Sequence, residues 1–311
     1  MFSVLIPAFK EKYLRKALES VLAQSYKDFE VIIVNDKSPE NIAKVVYNYD
    51  DPRVRYFENE VNLGKENVVF SWNKCLSYAT REFCILFSDD DVLHPEFLQE
   101  ISNLIKKYPE PDLFYTRTAI IGKNDEIIRY SPSAPELETV HDFVWHRVYG
   151  MRDLFAQNFV FRRSALLAMK GFVELPLAWA TDDATWFSLA RKNGVVASSR
   201  VLCFWRWSEL NISNIGNSML RFKAIETYYK WLQEFVQNLD ESNDFKKGLK
   251  NEILQNIPVK KKEAFEYIIE RNLSNKGAFH TMSLFIKARN MYDIPAKTLV
   301  KLNVKKMMGR Q

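Results

Sequence analysis

The sequence predicts an α/β protein with a mainly parallel sheet, followed by a helical appendage at the carboxyl end. Short apolar strands alternate with amphipathic helices over roughly the first third of the chain, at the spacing of βαβ units. From about Met219 onward, apolar residues recur at helical spacing, and no further convincing strand follows. A chain of 311 residues has room for one large α/β domain and such an appendage.

The first four strands are predicted from apolar runs that end at polar or turn-forming residues. They cover residues 2–7, 30–34, 54–57 and 83–87. Between them, apolar residues three or four positions apart predict the buried faces of amphipathic helices. These residues are Leu14, Ala17, Leu18, Val21 and Leu22, then Ile42, Val45, Val46 and Tyr49, then Val69, Trp72 and Leu76. We expect Ser38 to cap the second helix, with Pro39 at its first position.

The second half of the α/β region is less regular. A helix is expected to begin at Pro95, because proline is favoured at the first helical position. A hairpin follows, in which Gly122-Lys123-Asn124-Asp125 forms the turn. The remaining elements are strands over 113–121, 126–130, 158–162 and 195–205, and a helix over 184–191. We place the boundary near Gly216–Met219, which gives a first domain of residues 1–217 and a helical region of residues 218–311.

Composition excludes several classes of protein. A hydrophobic content of 47% and an aromatic content of 14% are those of a folded globular chain. The net charge of +5 is too small to indicate nucleic-acid binding. The three cysteines form no close pair in the sequence, which favours a reduced, cytoplasmic protein. The first apolar run is interrupted by Pro7 and predicts a strand rather than a signal peptide, and no run approaches the roughly 18 apolar residues of a membrane span.

Three consecutive aspartates, Asp89, Asp90 and Asp91, follow the fourth predicted strand. Open α/β sheets bind ligands at the carboxyl ends of their strands. Three ionised carboxylates at such close spacing repel one another unless a cation neutralises them. A cluster that offers only oxygen ligands suits Mg²⁺ or Mn²⁺ better than Zn²⁺. The alternative is a solvated acidic turn that caps the next helix, and the aspartates alone do not distinguish the two.

Several segments match one family in the order in which they occur. They are Val4-Leu5-Ile6-Pro7-Ala8-Phe9, Val31-Ile32-Ile33-Val34-Asn35-Asp36-Lys37-Ser38, Asn62-Leu63-Gly64, Trp72-Asn73-Lys74-Cys75-Leu76, Ser88-Asp89-Asp90-Asp91-Val92-Leu93-His94-Pro95, Phe161-Arg162-Arg163-Ser164-Ala165, Gly171-Phe172 and Thr181-Asp182-Asp183-Ala184-Thr185-Trp186. This ordered set resembles family 2 glycosyltransferases of the GT-A fold, over residues 1–215. The resemblance implies a Rossmann-like α/β/α sandwich with a mostly parallel central sheet.

The resemblance also implies a nucleotide-sugar site. The residues that it places around the base and ribose, or in the loop over the nucleotide, are Pro7, Ala8, Glu11, Asn62 and Gly64. Asp36 would accept a hydrogen bond from the N3–H of uracil or thymine, since an ionised carboxylate is only an acceptor. Asn35 stands where the family usually has a further acid, which leaves the contact with the base less defined.

By the same resemblance, the three aspartates form a metal-binding acidic motif for Mn²⁺ or Mg²⁺. Asp90 is the favoured direct ligand and Asp91 is placed beside it. Asp89 is assigned to the ribose or to a contact just outside the metal's ligands. Many members of the family have an acid where Ser88 stands, so the choice of two ligands among the three aspartates stays open.

Two further positions complete the site that the resemblance implies. Asp182-Asp183 is similar to the family's Glu-Asp pair, which makes Asp183 the general base and Asp182 its neighbour. A helix cap before Ala184 is the alternative, and it is compatible with catalysis. Arg206, after the last predicted strand, would meet the diphosphate or else be a surface arginine. The implied reaction is an inverting transfer from a UDP-sugar to the hydroxyl of a glycan or lipid-linked acceptor, in cell-surface polysaccharide biosynthesis.

Other classes of protein fit the sequence less well. A sugar nucleotidyltransferase also uses acids and Mg²⁺, but it would normally carry a glycine-rich, basic loop after the first strand. A dehydrogenase needs a G-x-G-x-x-G turn at that position, and none is present. A non-catalytic nucleotide-sugar-binding module remains a second alternative, against which the complete set of candidate acids argues.

The final segment is basic and amphipathic. Val300, Val304 and Met307 fall on one helical face, and Lys297, Lys301 and Lys305 fall on another. Such a segment can rest on an anionic membrane, where lipid-linked acceptors reside. A solvated helix docked on the protein is the alternative. The first interpretation predicts a cytoplasmic protein with peripheral contact at the inner face of the membrane.

Overall fold

A computed structural model describes residues 1–207 and 218–292 of the chain. These residues form two compact units. The first comprises residues 1–174 and 181–207, and the second comprises residues 175–180 and 218–292. The predicted domain boundary near Gly216–Met219 therefore lies mostly outside the described residues.

The first unit is built on a ten-stranded sheet in the described residues. Its strands are β1 (Phe2–Ala8), β2 (Phe29–Asn35), β3 (Val54–Glu58), β4 (Phe83–Leu86), β5 (Val92–Leu93), β6 (Leu113–Ile121), β7 (Ile127–Tyr130), β8 (Leu137–Glu138), β9 (Phe159–Arg162) and β10 (Val195–Arg206). Its helices are α1 (Leu14–Leu22), α2 (Ile42–Val46), α3 (Val68–Tyr78), α4 (Phe97–Lys107), α5 (Val140–Val148), α6 (Arg163–Ala168) and α7 (Thr181–Ala190).

The sheet has the order β3-β2-β1-β4-β9-β6-β10-β5, with β7 on β6 and β8 on β10. The pairs β1–β2, β1–β4, β2–β3 and β6–β10 are parallel. Strand β9 is antiparallel to both β4 and β6, so β6 and β10 run in the same direction as β1 and β4. The carboxyl ends of these parallel strands therefore meet at one edge of the sheet. This confirms the prediction of an α/β fold with a mostly parallel sheet.

The apolar runs of the sequence explain why the inner strands form. Every residue of β2 is buried, as expected for a parallel strand covered by helices on both faces. Helix α1 buries Leu14, Ala17, Leu18 and Val21, the spacing that predicted it. Each fully buried side chain of this kind contributes about 1.5–3 kcal/mol relative to an exposed one.

Three helix starts differ from the prediction. The cap of α2 is Asn41, whose side chain accepts the Lys44 amide at 3.1 Å; the Ser38 hydroxyl instead donates to the Phe9 carbonyl at 2.5 Å. Helix α4 begins at Phe97 rather than Pro95, because β5 pairs with β10 and holds the preceding residues in a turn. Helix α7 begins at Thr181, so it already includes the two acids that were considered as its cap.

The second unit is helical, as predicted for residues beyond 218. It contains α8 (Ser218–Gln237), α9 (Asp244–Tyr292) and a single 3₁₀ turn at Pro176–Ala178. Its core is apolar and includes Phe222, Ile225, Phe265, Ile269 and Phe285. In the described part of the chain, no helix has the length and apolar character that crossing a membrane requires.

Candidate active site

Asp36 follows β2 at the carboxyl edge of the sheet and is 4% exposed. Its Oδ1 accepts hydrogen bonds from the Asn59 side chain at 2.7 Å and the Leu63 amide at 2.9 Å. Its Oδ2 accepts from the Gly64 amide at 2.7 Å. A Cβ at position 64 would lie 2.8 Å from that oxygen, which explains the need for glycine there. Asp36 thus fixes the loop that contains two other predicted site residues, Asn62 and Gly64.

The loop after β1 lies beside Asp36 and the acidic cluster. Pro7 and Ala8 are its last strand residues, and Ala8 accepts a hydrogen bond from the Asp36 amide at 3.0 Å. The Glu11 amide donates to the Glu40 carboxylate. The predicted base and ribose residues of β1 are therefore adjacent to Asp36 in the fold.

Asp89 binds this same loop through two backbone amides. Its Oδ2 accepts from Phe9 at 2.8 Å and from Lys10 at 2.7 Å. Burial raises the pKa of Asp89 to about 6, against the lowering effect of the Lys10 charge. Asp89 therefore joins the ends of β1 and β4, which run parallel and adjacent.

Lys10 is a site residue that the sequence reasoning missed. Its Nζ lies 2.9 Å from Asp90 Oδ2 and 4.0 Å from Asp89 Oδ1. Burial lowers the pKa of Lys10, but the charges of Asp90 and Asp89 outweigh it and raise the pKa above the usual value. The side chain therefore carries a full positive charge beside the favoured metal ligand.

Asp91 is the most deeply buried of the three aspartates, at 1% exposure. Its Oδ1 accepts the Arg206 amide at 2.7 Å, whereas its Oδ2 is buried without a hydrogen-bond partner among the described residues. Burial, and then the charge of Asp90, raise the pKa of Asp91 well above its usual value. An acid in this condition is stabilised in its ionised form when a cation arrives.

Arg206 is 1% exposed, and its guanidinium is directed to protein acceptors. Its Nε donates to the Asp90 carbonyl at 2.7 Å and one terminal nitrogen donates to the Gly122 carbonyl at 2.9 Å. The other terminal nitrogen donates to Asp125 Oδ1 at 2.7 Å, and the Tyr13 ring lies 4.3 Å from the guanidinium carbon. The sequence expectation was a diphosphate contact or a surface arginine. The burial of Arg206 excludes the surface alternative, and its hydrogen bonds join the acidic loop to the β6–β7 turn, whereas the contact with a diphosphate stays a prediction.

Replacing Arg206 by methionine is expected to lower the free energy of unfolding by about 2–6 kcal/mol, because the buried carbonyls of Asp90 and Gly122 each lose their donor, at about 1–3 kcal/mol for each carbonyl. Arg200 on the same strand provides the control: it is 46% exposed and pairs with Glu96 and Glu100. Arg200→Met should cost less than about 1 kcal/mol. Urea unfolding of the two variants measures this, and equal losses would contradict the role assigned to Arg206.

Asp182 and Asp183 lie in the first turn of α7 and contact α5. Asp183 is 3% exposed, and its Oδ2 accepts from Arg147 Nε at 2.9 Å. Burial, and then the charge of Asp183, raise the pKa of Asp182 to about 7, against the lowering effect of Arg147. Arg147 is a second residue that the sequence did not single out, since its partner lies 36 positions away.

Asp182→Asn is expected to stabilise the protein increasingly as pH rises. In the folded state the pKa of Asp182 lies near 7, above its usual value of 3.8. The stability that protonated Asp182 contributes is complete below about pH 4 and is lost as pH rises through 7. The variant should therefore gain about 2–4 kcal/mol over the wild type between pH 4 and pH 8. Unfolding curves across that range give the difference, and a constant difference would contradict the assignment.

Glu30→Gln is a control whose expected effect on the free energy of unfolding has the opposite sign. Burial opposes ionisation of Glu30, but hydrogen bonds from Ser3 and Thr80 lower the pKa of that carboxyl to about 2, from 4.5. Its stabilising contribution is present above pH 4.5 and is lost only as pH falls through 2. Glu30→Gln should therefore destabilise the protein throughout the range in which Asp182→Asn becomes more favourable.

The acidic cluster offers oxygen ligands of the kind that a divalent cation prefers. The Lys10 ammonium pairs with Asp90 and the Arg206 backbone amide bonds Asp91 Oδ1, which leaves one buried Asp91 oxygen without a hydrogen-bond partner among the described residues. In residues 1–207 and 218–292, no group of three or more His, Cys, Asp or Glu side chains is arranged to hold a metal. Magnesium is usually bound by one or two carboxylates together with water and substrate phosphates, so Asp90 and Asp91 suffice. The residues present fit Mg²⁺ or Mn²⁺.

Comparison with known proteins identifies one family. Residues 3–168, more than half of the chain, match the model of "Glycosyl transferase family 2". An uncharacterized glycosyltransferase, MJ1057 of Methanocaldococcus jannaschii, is 32% identical over 38% of this chain and 41% of that protein, so the match spans less than half of that relative. UDP-Glc:alpha-D-GlcNAc-diphosphoundecaprenol beta-1,3-glucosyltransferase WfgD of Escherichia coli is 24% identical over 76% of this chain and 87% of that protein.

Solved structures show the same fold. S. aureus TarS 1-349 in complex with UDP-GlcNAc has a TM-score of 0.68 and 19% identity, and the match covers 96% of this chain and 82% of that chain. The mannosyltransferase PcManGT from Pyrobaculum calidifontis, in complex with GDP-Man and Mn²⁺, has a TM-score of 0.56 and 15% identity, over 100% of this chain and 88% of that chain. At these identities the likeness establishes the fold alone, which is the GT-A fold.

Proposed function

The chain belongs to glycosyl transferase family 2 and is a glycosyltransferase, and from this premise we propose its donor, its cofactor and its acting residues. In the proposal, it moves a sugar from a nucleotide diphosphate sugar to an acceptor hydroxyl and inverts the anomeric carbon. The observation that carries the proposal is the buried acidic cluster at the carboxyl edge of the sheet, where one Asp91 oxygen has no partner among the described residues.

A UDP-sugar is the donor that we propose. TarS was solved with UDP-GlcNAc, and the name of WfgD specifies UDP-Glc. Asp36 accepts three hydrogen bonds, and an ionised carboxylate offers about four acceptor positions. It therefore has one position left for the N3–H of the base while it holds the loop of Asn62 and Gly64. Pro7, Ala8 and Glu11 would line the pocket from the neighbouring end of β1.

Asp90 and Asp91 would hold Mn²⁺ or Mg²⁺ in this proposal. When bound, such an ion acts as a Lewis acid that stabilises negative charge on the departing diphosphate. The complex of PcManGT with Mn²⁺ supports the choice of metal. Asp89 is already engaged with two amides of the β1 loop, so its proposed role is to position that loop and the ribose that lies against it.

Asp183 is the proposed general base. The acceptor oxygen forms a bond to the anomeric carbon, the bond from that carbon to the diphosphate oxygen breaks, and the acceptor proton passes to an Asp183 oxygen. A single displacement of this kind inverts the carbon and needs no carboxylate nucleophile, unlike retaining hydrolysis. Arg147 orients Asp183 through the hydrogen bond that its Nε donates to Oδ2. Asp182, with a raised pKa, would remain largely protonated beside it below pH 7.

The roles of the two regions of the chain, the acceptor and the location of the reaction are also proposals. We assign residues 1–217 to the glycosyltransferase domain and residues 218–311 to association with an acceptor, a partner or a membrane. The name of WfgD, which specifies an acceptor carried on diphosphoundecaprenol, supports a lipid-linked acceptor. With such an acceptor, we place the reaction in cell-surface polysaccharide synthesis at the cytoplasmic face of the membrane. The basic segment around Lys301 lies outside the described residues.

A panel of nucleotide sugars, incubated with the protein and Mn²⁺, tests the proposed function. Slow hydrolysis of one donor, seen as release of its nucleoside diphosphate, is the expected result. Release of pyrophosphate from a nucleoside triphosphate and a sugar phosphate would favour a nucleotidyltransferase instead. Binding without turnover, even with a panel of glycan and lipid-linked acceptors, would indicate a binding module.

A further inference from the structure

Lys10 occupies the place at Asp90 where a metal would bind. Its ammonium lies 2.9 Å from Asp90 Oδ2, and its side chain is 23% exposed. The backbone of Lys10 is held by the hydrogen bond that its amide donates to Asp89 Oδ2, so the ammonium reaches the acidic cluster from an anchored position. A lysine at this position neutralises one of the three carboxylates in the absence of any other cation.

The ammonium and a divalent ion cannot both remain at Asp90. Two cations bound to one small carboxylate repel each other strongly in a site that is largely shielded from water. Asp90 and Asp91 are 7% and 1% exposed, so solvent screens this repulsion poorly. A metal that binds Asp90 must therefore displace Lys10 from it.

The stem of Lys10 allows such a displacement. Its four carbons rotate freely, and its ammonium is a compact charge that bonds phosphate as readily as carboxylate. Because the backbone is held at the mouth of the site, the displaced ammonium stays within reach of a diphosphate bound by the metal. The diphosphate would then offer Lys10 the negative partner that it loses at Asp90.

We infer that Lys10 is an exchangeable counter-ion, which competes with the metal for Asp90 in the free enzyme and pairs with the donor's diphosphate once the metal is bound. This inference rests on the proposed function and deepens it, because it makes metal and donor bind cooperatively. When the metal binds alone, Lys10 loses its ion pair with Asp90 and gains no other. When a nucleoside diphosphate binds with the metal, the diphosphate provides Lys10 with a new negative partner. The coupling is reciprocal, so the metal strengthens diphosphate binding by the same factor.

Titration calorimetry of MnCl₂ into the full-length wild type, Lys10→Met and Lys12→Met, with and without UDP, tests this inference. Lys12 is the matched control, since it is exposed and lies over the Tyr13 ring rather than at the cluster. Without UDP, Lys10→Met should bind Mn²⁺ about 10-fold more tightly than the wild type. With Mn²⁺ present, it should bind UDP at least about 10-fold more weakly. A tenfold change in either affinity corresponds to about 1.4 kcal/mol.

The outcomes separate this inference from the proposed function. If the wild type binds Mn²⁺ and UDP together but Lys10→Met shows wild-type affinity for Mn²⁺ alone, Lys10 is an ordinary ion pair and the inference is overturned. If the wild type binds neither, the proposed function fails and the inference fails with it. Lys10→Arg provides a second variant that keeps the charge, and it should resemble the wild type in its affinity for Mn²⁺ even if Lys10→Met does not fold.

Discussion

Asp90→Ala is expected to abolish the metal dependence of UDP binding and to lower the rate of transfer about 1,000-fold. The variant loses the proposed direct ligand, and a metal ion stabilises the departing diphosphate by several kcal/mol, of which about 4 kcal/mol accounts for that factor. It also releases Lys10 from its ion pair. Any UDP that still binds should do so through Lys10 and should be indifferent to added Mn²⁺.

The fold should survive Asp90→Ala, which makes the result interpretable. The bond from Arg206 Nε is made to the backbone carbonyl of Asp90, and Asp89 and Asp91 make the other hydrogen bonds of the loop. Lys10 keeps Asp89 Oδ1 at 4.0 Å as a partner, and its side chain is 23% exposed, so the ammonium is not left buried and unpaired. Calorimetry with UDP, with and without Mn²⁺, supplies the measurement, and circular dichroism checks the fold. A variant that binds UDP with undiminished metal dependence would refute the assignment of Asp90.

Asp183→Asn is expected to keep donor affinity within about threefold of the wild type and to lose transfer by a factor of about 10²–10⁴, the usual contribution of a general base. Asparagine has the same shape and can still accept the bond from Arg147 through its amide oxygen. It cannot accept the proton of the acceptor hydroxyl. The loss should therefore appear in kcat rather than in the affinity for the donor.

The measurement for Asp183→Asn combines UDP-sugar binding by calorimetry with initial rates of transfer. Arg147→Lys is a companion variant that keeps a positive charge near the acid but loses the fixed geometry of the guanidinium. It should show an intermediate rate with normal donor affinity. If Asp183→Asn instead lost donor binding, the residue would belong to the donor site and the proposed base would have to be sought elsewhere.

The parts of the site that follow directly from local sequence were predictable. Asp36 and the aspartates 89–91 come just after apolar runs, and parallel strands bring the ends of such runs to one edge of the sheet. The complete burial of β2 likewise follows from a continuous apolar run, and the buried face of α1 follows from apolar residues three or four positions apart. These features gave the fold class and the location of the acidic cluster.

The partners of these acids were not predictable, because they depend on tertiary contacts. Lys10 lies 80 positions from Asp90, and Arg206 Nε reaches the Asp90 carbonyl from 116 positions away. No local pattern distinguishes Lys10 from Lys12, yet only the former enters the cluster. The burial of Arg206 was not predictable from its place at the end of a strand, because it depends on contacts with the β6–β7 turn and with Tyr13.

The first residues of two helices were also mispredicted, because they depend on contacts with distant parts of the chain. Ser38 followed by proline is a sound local signal for a helix cap, and its hydroxyl does accept the Glu40 amide, but it also donates to the Phe9 carbonyl and the helix begins only after Asn41. Pro95 is a sound local signal for the first position of a helix, but pairing of β5 with β10 delays the start. In both cases contacts with a distant part of the chain accompany the later start of the helix.

Titration of UDP into the wild-type protein, first with Mn²⁺ and then with the chelator EDTA, tests the central claim most directly. The claim is that acids at the carboxyl edge of the sheet hold a divalent ion, which in turn holds a diphosphate. We predict saturable UDP binding with Mn²⁺ and at least about a 10-fold loss of affinity when EDTA removes the ion. UDP affinity that is absent, or the same in both titrations, would contradict the claim.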